Sequence, residues 1–244
     1  MFDTHFEVVL ADTEEARDIH YRLRYRVFCS ETGFEDPAAF PDGKECDEYD
    51  EHAVHFLIRD RSSHDWIATM RLVLGRYGDL PAEHICENLD KSLIAGIDHR
   101  HIGEISRLCM VSDFRRRRHE RRLPYEVIDG KSAAEHWNKK ERRKEPEILV
   151  GLLRALYEWT KNNDVRYCYF LISPALARIV GRLNLKMIKA GGSCEHRGTR
   201  IPYFADVKEG RRQLLAGPRH VAAMMLREPA YRLFSELSLK EKVA

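Results

Sequence analysis

Gly103-Glu104-Ile105-Ser106-Arg107-Leu108 sets a carboxylate, a hydroxyl and a guanidinium beside a short apolar run, Leu108-Cys109-Met110-Val111. A carboxylate can take up a proton, a hydroxyl can donate a hydrogen bond, and a guanidinium can fork an anion. In a strand, alternation aims Glu104 and Ser106 to one face, which makes this a candidate site. The competing reading is a strand with polar ends.

Upstream, Tyr21-Arg22-Leu23-Arg24-Tyr25-Arg26-Val27-Phe28 puts Arg24 and the ring of Phe28 one helical turn apart. An acidic stretch follows: between Glu31 and Glu51 stand nine carboxylates and a single base, Lys44, with Asp47 and Asp50 as a spaced pair. Trp66–Leu74 is a mostly apolar run with one charge, Arg71. A lone charge in such a run needs a partner.

In this order, Arg24, Phe28, Phe34, Asp47 with Asp50, Arg71 and Glu104-x-Ser106-Arg107 resemble the signature of acyl-homoserine lactone synthases and the related N-acyl amino acid synthases. The resemblance is closer still to the acyltransferases encoded with PEP-CTERM/exosortase systems. The pieces that carry it are Arg24 to Cys29, Phe40 to Gly43, Asp47 to Asp50 and Arg71 to Val73. It spans roughly residues 6–207, with its specific part at 21–107. Phe34 stands where the lactone synthases typically have tryptophan, which loses an indole donor, so S-adenosylmethionine is not carried over as the acceptor.

Acyl transfer to an amine needs a deprotonated nitrogen, a carbonyl within reach and donors for the developing oxyanion. The resemblance implies Glu104 as general base, Ser106 as a donor to the thioester oxygen or the acceptor, and Arg107 as a fork for carboxylates. Glu104 would work best near neutrality with its pKa raised by burial. The alternative is an ion pair from Glu104 to Arg107 or Arg71 that only closes a core edge. Arg24, Asp47, Asp50 and Arg71 would form a substrate-side network ordering an N-terminal lid, with Phe28 and Phe34 packing the pocket. Direct attack by the amine is simpler than a covalent acyl-serine, since no histidine is placed to activate Ser106.

Where an acetyltransferase would carry a glycine-rich pyrophosphate turn, this chain has Arg115, Arg116, Arg117, Arg118, Arg121 and Arg122. Residues 113–145 hold twelve Lys/Arg against seven Asp/Glu, an excess of +5. Such arginines suit an acidic, phosphopantetheine-bearing acyl carrier protein, or the phosphates of acyl-CoA, as the donor co-substrate. Solvated loop charges are the plainer reading. Nucleic-acid binding is disfavoured, because Trp137 is the only tryptophan nearby and no aromatic ladder accompanies the charge.

The net charge of +2 conceals an uneven distribution: residues 1–60 carry sixteen Asp/Glu and six Lys/Arg, a balance of −10, which leaves +12 for the rest. Six cysteines without a C-x-x-C pair read as free thiols in a reducing compartment, with no metal site and no tightly bound cofactor. No apolar run approaches 18 residues and no leader is apparent, so a cytoplasmic protein without a transmembrane segment is expected.

The elements that must hold these residues follow from periodicity. Phe6–Ala11 predicts a strand, Asp12 to Glu15 a helix start leading to about Phe28, and Ala53–Asp60 with Trp66–Leu74 a hairpin. A weak helix near 84–95, a strand at 104–112 and a long helix from Glu147 to Asn162 follow. Then come a strand from Val165 to Ile172, a helix from Pro174 to about Leu183 and extended structure at Lys186–Ile188. The order resembles the N-acetyltransferase (GNAT) superfamily, which implies an α/β (α+β) fold with a central mixed, mostly antiparallel sheet flanked by helices. The chain reads as one acyltransferase domain, with 210–244 a helical C-terminal extension packed outside. The leading function is an N-acyltransferase for a small amine such as an amino acid. The alternatives are a CoA-dependent small-molecule acetyltransferase, and a non-catalytic carrier- or nucleic-acid-binding module.

Overall fold

The computed structural model describes residues 2–115 and 144–242. Its strands are β1 (Phe6–Leu10), β2 (Ala53–Asp60), β3 (Trp66–Leu74), β4 (Ile102–Met110), β5 (Tyr167–Ile172), β6 (Ile188–Lys189), β7 (Cys194–Glu195), β8 (Thr199–Asp206) and β9 (Arg232–Leu233). The helices are α1 (Phe2–His5), α2 (Glu14–Tyr25), α3 (Pro81–Ile85), α4 (Ser112–Arg115), α5 (Lys144–Asn162), α6 (Pro174–Arg182), α7 (Val207–Leu215), α8 (Arg219–Met225) and α9 (Leu239–Lys242). Among the described residues the sheet order is β6-β8-β5-β4-β3-β2-β1-β9, with β7 paired to β8. Only β4–β5 and β1–β9 run parallel, so the sheet is mixed and mostly antiparallel, as expected.

The hairpin β2–β3 forms with the boundaries its apolar runs predict, because Phe56, Leu57 and Ile58 are buried on both faces between helices. Thr13 caps α2 by accepting from the Ala16 N–H, and Glu14 and Glu15 sit favourably in its first turn. The helix then widens into a π-helical stretch, Arg26–Glu31, that carries Phe28. Helix α5 turns Ile148, Leu149, Leu152, Leu153 and Leu156 to the sheet. Gly151 lets the ring of Phe2 lie where a side chain would stand: a Cβ there would meet the ring at 2.4 Å. Arg154 closes this corner by forking Asp3 and stacking over Phe2.

Some expectations are corrected. The segment 84–95 is not one helix but α3 and a separate 3-10 turn, Lys91–Ile94, capped by Asp90. The strand expected at 104–112 ends at Met110, because Ser112 starts α4. The extended structure expected at Lys186–Ile188 begins only at Ile188 and runs to Lys189. The tail is helical as α7 and α8 as far as Met225, with a break at Gly217-Pro218 between them. Beyond Pro229, Arg232–Leu233 adds a strand beside Val9–Leu10, and Phe234 and Leu237 enter the core.

Candidate active site

The register of β3 against β4 sets Arg71 opposite Ser106 and Val73 opposite Glu104, so Arg71, Glu104 and Ser106 share one face. Between Thr69/Cys109 and Arg71/Ser106 the register slips, with one residue of β3 facing two of β4. Arg107 lies in this bulge at φ 50°, the left-handed region. The Thr69 hydroxyl donates to the Arg107 carbonyl at 2.9 Å and holds the bulge. Consecutive side chains, Ser106 and Arg107, thereby reach the same carboxylate cluster. Strict alternation would have sent them to opposite faces.

That cluster consists of three arginines and three carboxylates. Arg24 donates to Glu45 at 2.5 Å and to Asp50 at 2.6 Å. Arg71 donates to Asp47 at 2.5 Å, Asp50 at 2.8 Å and the Ser106 hydroxyl at 3.1 Å. Arg107 donates to Glu45 at 2.9 Å and Asp47 at 2.7 Å, and lies over the Phe28 ring at 6.0 Å. Asp47 and Asp50 also close a capping box on the short helix Glu48–His52. The lone charge of β3 thus has its partners. The acidic segment is pinned over the sheet by charge-assisted bonds in a site where Arg24 and Arg71 are 0% exposed. Burial alone would raise Glu45 and Asp50. For Glu45 the bonds and charges of Arg24 and Arg107 outweigh it, and for Asp50 those of Arg24 and Arg71. Both carboxylates stay below the usual range. Glu45 was not distinguishable in the sequence from its eight acidic neighbours.

Glu104 stands apart from these pairs. It is 1% exposed and accepts from the Ala82 N–H at 2.7 Å; among the described residues it forms no ion pair. The alternative of an ion pair with Arg71 or Arg107 is not realised, because Asp47, Asp50 and Glu45 already engage both. Burial pushes the Glu104 carboxyl up to about 7, against the lowering effects of the Ala82 N–H and the nearby Arg71 and Arg107. A carboxylate poised there can accept a proton near neutrality.

Beside it, β4 and β5 part. Their pairing runs from Ile102/Tyr167 to Ile105/Phe170 and stops, although both strands continue. A cavity of about 280 Å³ occupies the gap. Leu149 and Leu153 of α5 and Leu176 and Val180 of α6 line it, together with Glu104, Ser106 and Arg107 of β4 and with Phe28 and Phe34. The turn between β7 and β8 adds His196, Arg197 and Arg200. Arg197 is paired with Glu35, whereas the bond of Arg200 goes to the neighbouring Thr199 carbonyl. Burial and the neighbouring arginines 197, 107 and 200 hold His196 at about 4, neutral. These three mouth residues escape sequence reasoning because a hairpin some ninety positions downstream of Glu104 delivers them.

The structure therefore brings together Glu104, Ser106, Arg107, Arg24, Phe28, Phe34, Asp47, Asp50 and Arg71. Of the proposed donor arginines, Arg116, Arg117, Arg118, Arg121 and Arg122 lie outside the described residues, and Arg115 is described only as the end of α4. Among the described residues no His/Cys/Asp/Glu cluster could hold a metal ion, and no helix is long and apolar enough to cross a membrane.

Residues 23–124 match the family model of the acetyltransferase (GNAT) domain. The fold is that of the GNAT acetyltransferases. Similar solved structures include the acyl-homoserine lactone synthase LasI, at 15% identity over 87% of this chain and 96% of that one, TM-score 0.56. The CoA-dependent acyl-homoserine lactone synthase BjaI, with SAM and isopentyl-CoA, is 14% identical over 98% and 96%, TM-score 0.56. FeeM, an N-acyl amino acid synthase from uncultured soil microbes, is 15% identical over 86% and 98%, TM-score 0.50. No curated protein sequence matches the chain. The domain match and the site geometry support an acyltransferase.

Proposed function

We propose that this chain is an N-acyltransferase that moves a fatty acyl group from a thioester donor to the amine of a small acceptor. The observation that carries the reading is the cavity in the β4–β5 gap, which joins an apolar interior to a buried, near-neutral carboxyl and a cationic mouth. The acyl chain would lie among Leu149, Leu153, Leu176 and Val180, with its carbonyl at the edge of β4. Beyond Ile105 that edge has lost its strand partner and can present backbone N–H groups to an oxyanion. The acceptor amine would give its proton to Glu104 as the C–N bond forms and the C–S bond breaks. Ser106 already accepts from Arg71, so its own hydroxyl proton is available for the thioester oxygen or the acceptor. Arg107, Arg71 and Arg24, each paired with two of the carboxylates Glu45, Asp47 and Asp50, would hold the lid in register rather than bind substrate directly. Arg200, which has no carboxylate partner among the described residues, would meet an anionic group of the donor or acceptor.

The donor would be acyl carrier protein or acyl-CoA. BjaI is described as CoA-dependent and FeeM as an N-acyl amino acid synthase, which supports a thioester donor and an amino-acid acceptor as the first to test. The ordered motifs between Arg24 and Val73 support a place among the acyltransferases of PEP-CTERM/exosortase systems, and a cytoplasmic site of action goes with that reading. An acetyl-only transferase is disfavoured because the apolar cavity far exceeds what an acetyl group fills. Mass spectrometry of organic extracts from cells expressing the wild type beside Glu104→Gln tests the proposal. A new N-acylated species confined to the wild type supports it and names chain and acceptor together. Purified protein that releases no thiol from acyl-CoA or acyl carrier protein with any of the twenty amino acids overturns the amino-acid form.

A further inference from the structure

We propose that Cys86 and Cys194 form a reversible dithiol–disulfide site that clasps the two walls of the cavity mouth when peroxide oxidises it. The two residues are 108 positions apart, yet their sulfurs lie 2.8 Å from one another. The backbones around them are held together independently of the sulfurs. The Asp90 N–H donates to the Ala190 carbonyl at 2.7 Å, and Leu89 forms a bridge with Gly191. Gly191, at φ 156°, brings the Asn88 carbonyl oxygen to 2.4 Å from where a Cβ would stand, an approach only glycine permits. Closure of an S–S bond therefore requires little movement of either segment.

The two thiols differ in exposure. Cys86 is buried, 3% exposed, and burial together with the Cys194 sulfur pushes its thiol up to about 12, so it is protonated at rest and its proton must leave as it attacks. Cys194 is partly exposed and is the sulfur that a dissolved oxidant meets first. Its thiolate attacks one oxygen of hydrogen peroxide, the O–O bond breaks, and Cys194 becomes a sulfenic acid while hydroxide leaves and takes up a proton as water. The Cys86 sulfur then attacks the sulfenic sulfur, the S–O bond breaks, and the departing oxygen leaves as a second water with the Cys86 proton. Overall two thiols and one peroxide give one disulfide and two waters; peroxide is reduced and both sulfurs are oxidised.

Position gives the bond its consequence. Cys86 directly follows α3, whose Ala82 N–H holds Glu104 and whose Pro81 and Ile85 line the cavity. Cys194 precedes His196 and Arg197 of the opposite wall by two and three residues. The disulfide would fix the distance between the two walls. The chemistry of the pair stands whether or not the acyl-transfer reading is right.

The test treats the purified full-length protein with hydrogen peroxide, blocks remaining thiols with N-ethylmaleimide and maps peptides without reduction. The expected result is a peptide linked through Cys86 and Cys194, two fewer maleimide additions than the reduced protein, and reversal by dithiothreitol. Closing so long a loop should raise Tm by about 5–15 °C, a gain absent from Cys194→Ser. Because Cys194 is partly exposed, that variant folds as the wild type does, and it decides the matter even where Cys86→Ser does not fold. Sulfenic or sulfinic acid at Cys194 with no linked peptide, linkage through exposed Cys46 instead, or no oxidation at either position overturns the proposal.

Discussion

Replacing Glu104 by glutamine should stabilise the protein at alkaline pH relative to the wild type while sharply lowering its turnover. The carboxyl is held at about 7 in the folded protein against 4.5 for the ordinary side chain, mainly by burial. The folded state therefore keeps a proton that the unfolded chain releases. The wild type loses stability as pH rises from about 4.5 to about 7 and bears the full cost above it. At about 1.4 kcal/mol per pH unit, the window corresponds to roughly 3 kcal/mol. Glutamine keeps an oxygen for the Ala82 N–H but cannot ionise, so this contribution to the pH dependence is absent from the variant, while every other titrating group is common to both proteins. Any fixed cost of the amide cancels when the two proteins are compared at two pH values. The advantage of Glu104→Gln should grow by roughly 3 kcal/mol between pH 4.5 and pH 8.5, a relative Tm gain of about 6–12 °C for a chain of this size. Urea unfolding of both proteins across that range measures it. Turnover by the variant should fall by about 10²–10⁴. The wild-type rate should decline about tenfold per unit below an apparent pKa near 7, since the base must be ionised. Parallel stability curves for the two proteins would refute the buried acid. Activity within a few-fold of wild type would refute the base.

Arg24→Met should destabilise by about 3–5 kcal/mol, because Glu45 and Asp50 are left buried beside half their compensation; chemical denaturation at pH 7 checks it, and a loss below 1 kcal/mol would remove the network from the stability argument. Asp47→Asn, which weakens the bridge between Arg71 and Arg107 and the cap of Glu48–His52, should cost less, about 1–3 kcal/mol, and raise KM more than it lowers kcat. Leu153→Phe should shorten the acyl chain in the product, read directly as a mass shift; unchanged chain length would move the acyl group out of the α5 side of the cavity. Changing Arg115 to Arg118 to alanine should weaken donor binding and flatten its dependence on salt. An unchanged affinity would leave those arginines as solvated charge.

Periodicity exposed the elements whose burial is regular. In β2 and β3 every residue of a long apolar run packs, and in α5 one stripe does, so the boundaries followed from composition. Arg71 was readable for the opposite reason: a charge inside such a run demands a counter-charge, and only the acidic segment upstream could supply several. What stayed hidden depends on geometry. Glu45 is one of nine carboxylates, and nothing in its neighbours marks it as the one that enters the core. The bulge at Arg107 has no glycine to announce it, because a hydroxyl from Thr69 and two carboxylates hold the backbone in place. Strand β8 carries Pro202, which argues against a strand from sequence; here the neighbours of β8 tolerate it, and with β7 it brings His196, Arg197 and Arg200 to the mouth.

The division of labour among the charged groups follows from who is already paired. Arg24, Arg71 and Arg107 each contact two carboxylates, so their charges are spent on holding residues 45–50 against the sheet. Glu104, two residues from Ser106 on the same face, is excluded from that exchange and keeps a proton affinity near neutral. Were one of the three carboxylates lost, an arginine would be released toward Glu104 and would pull its pKa down. Asp50→Asn should therefore shift the acid limb of the rate profile below 7 even where the protein folds normally. A profile that keeps its midpoint while the rate falls would mean that the network positions the lid without tuning the base.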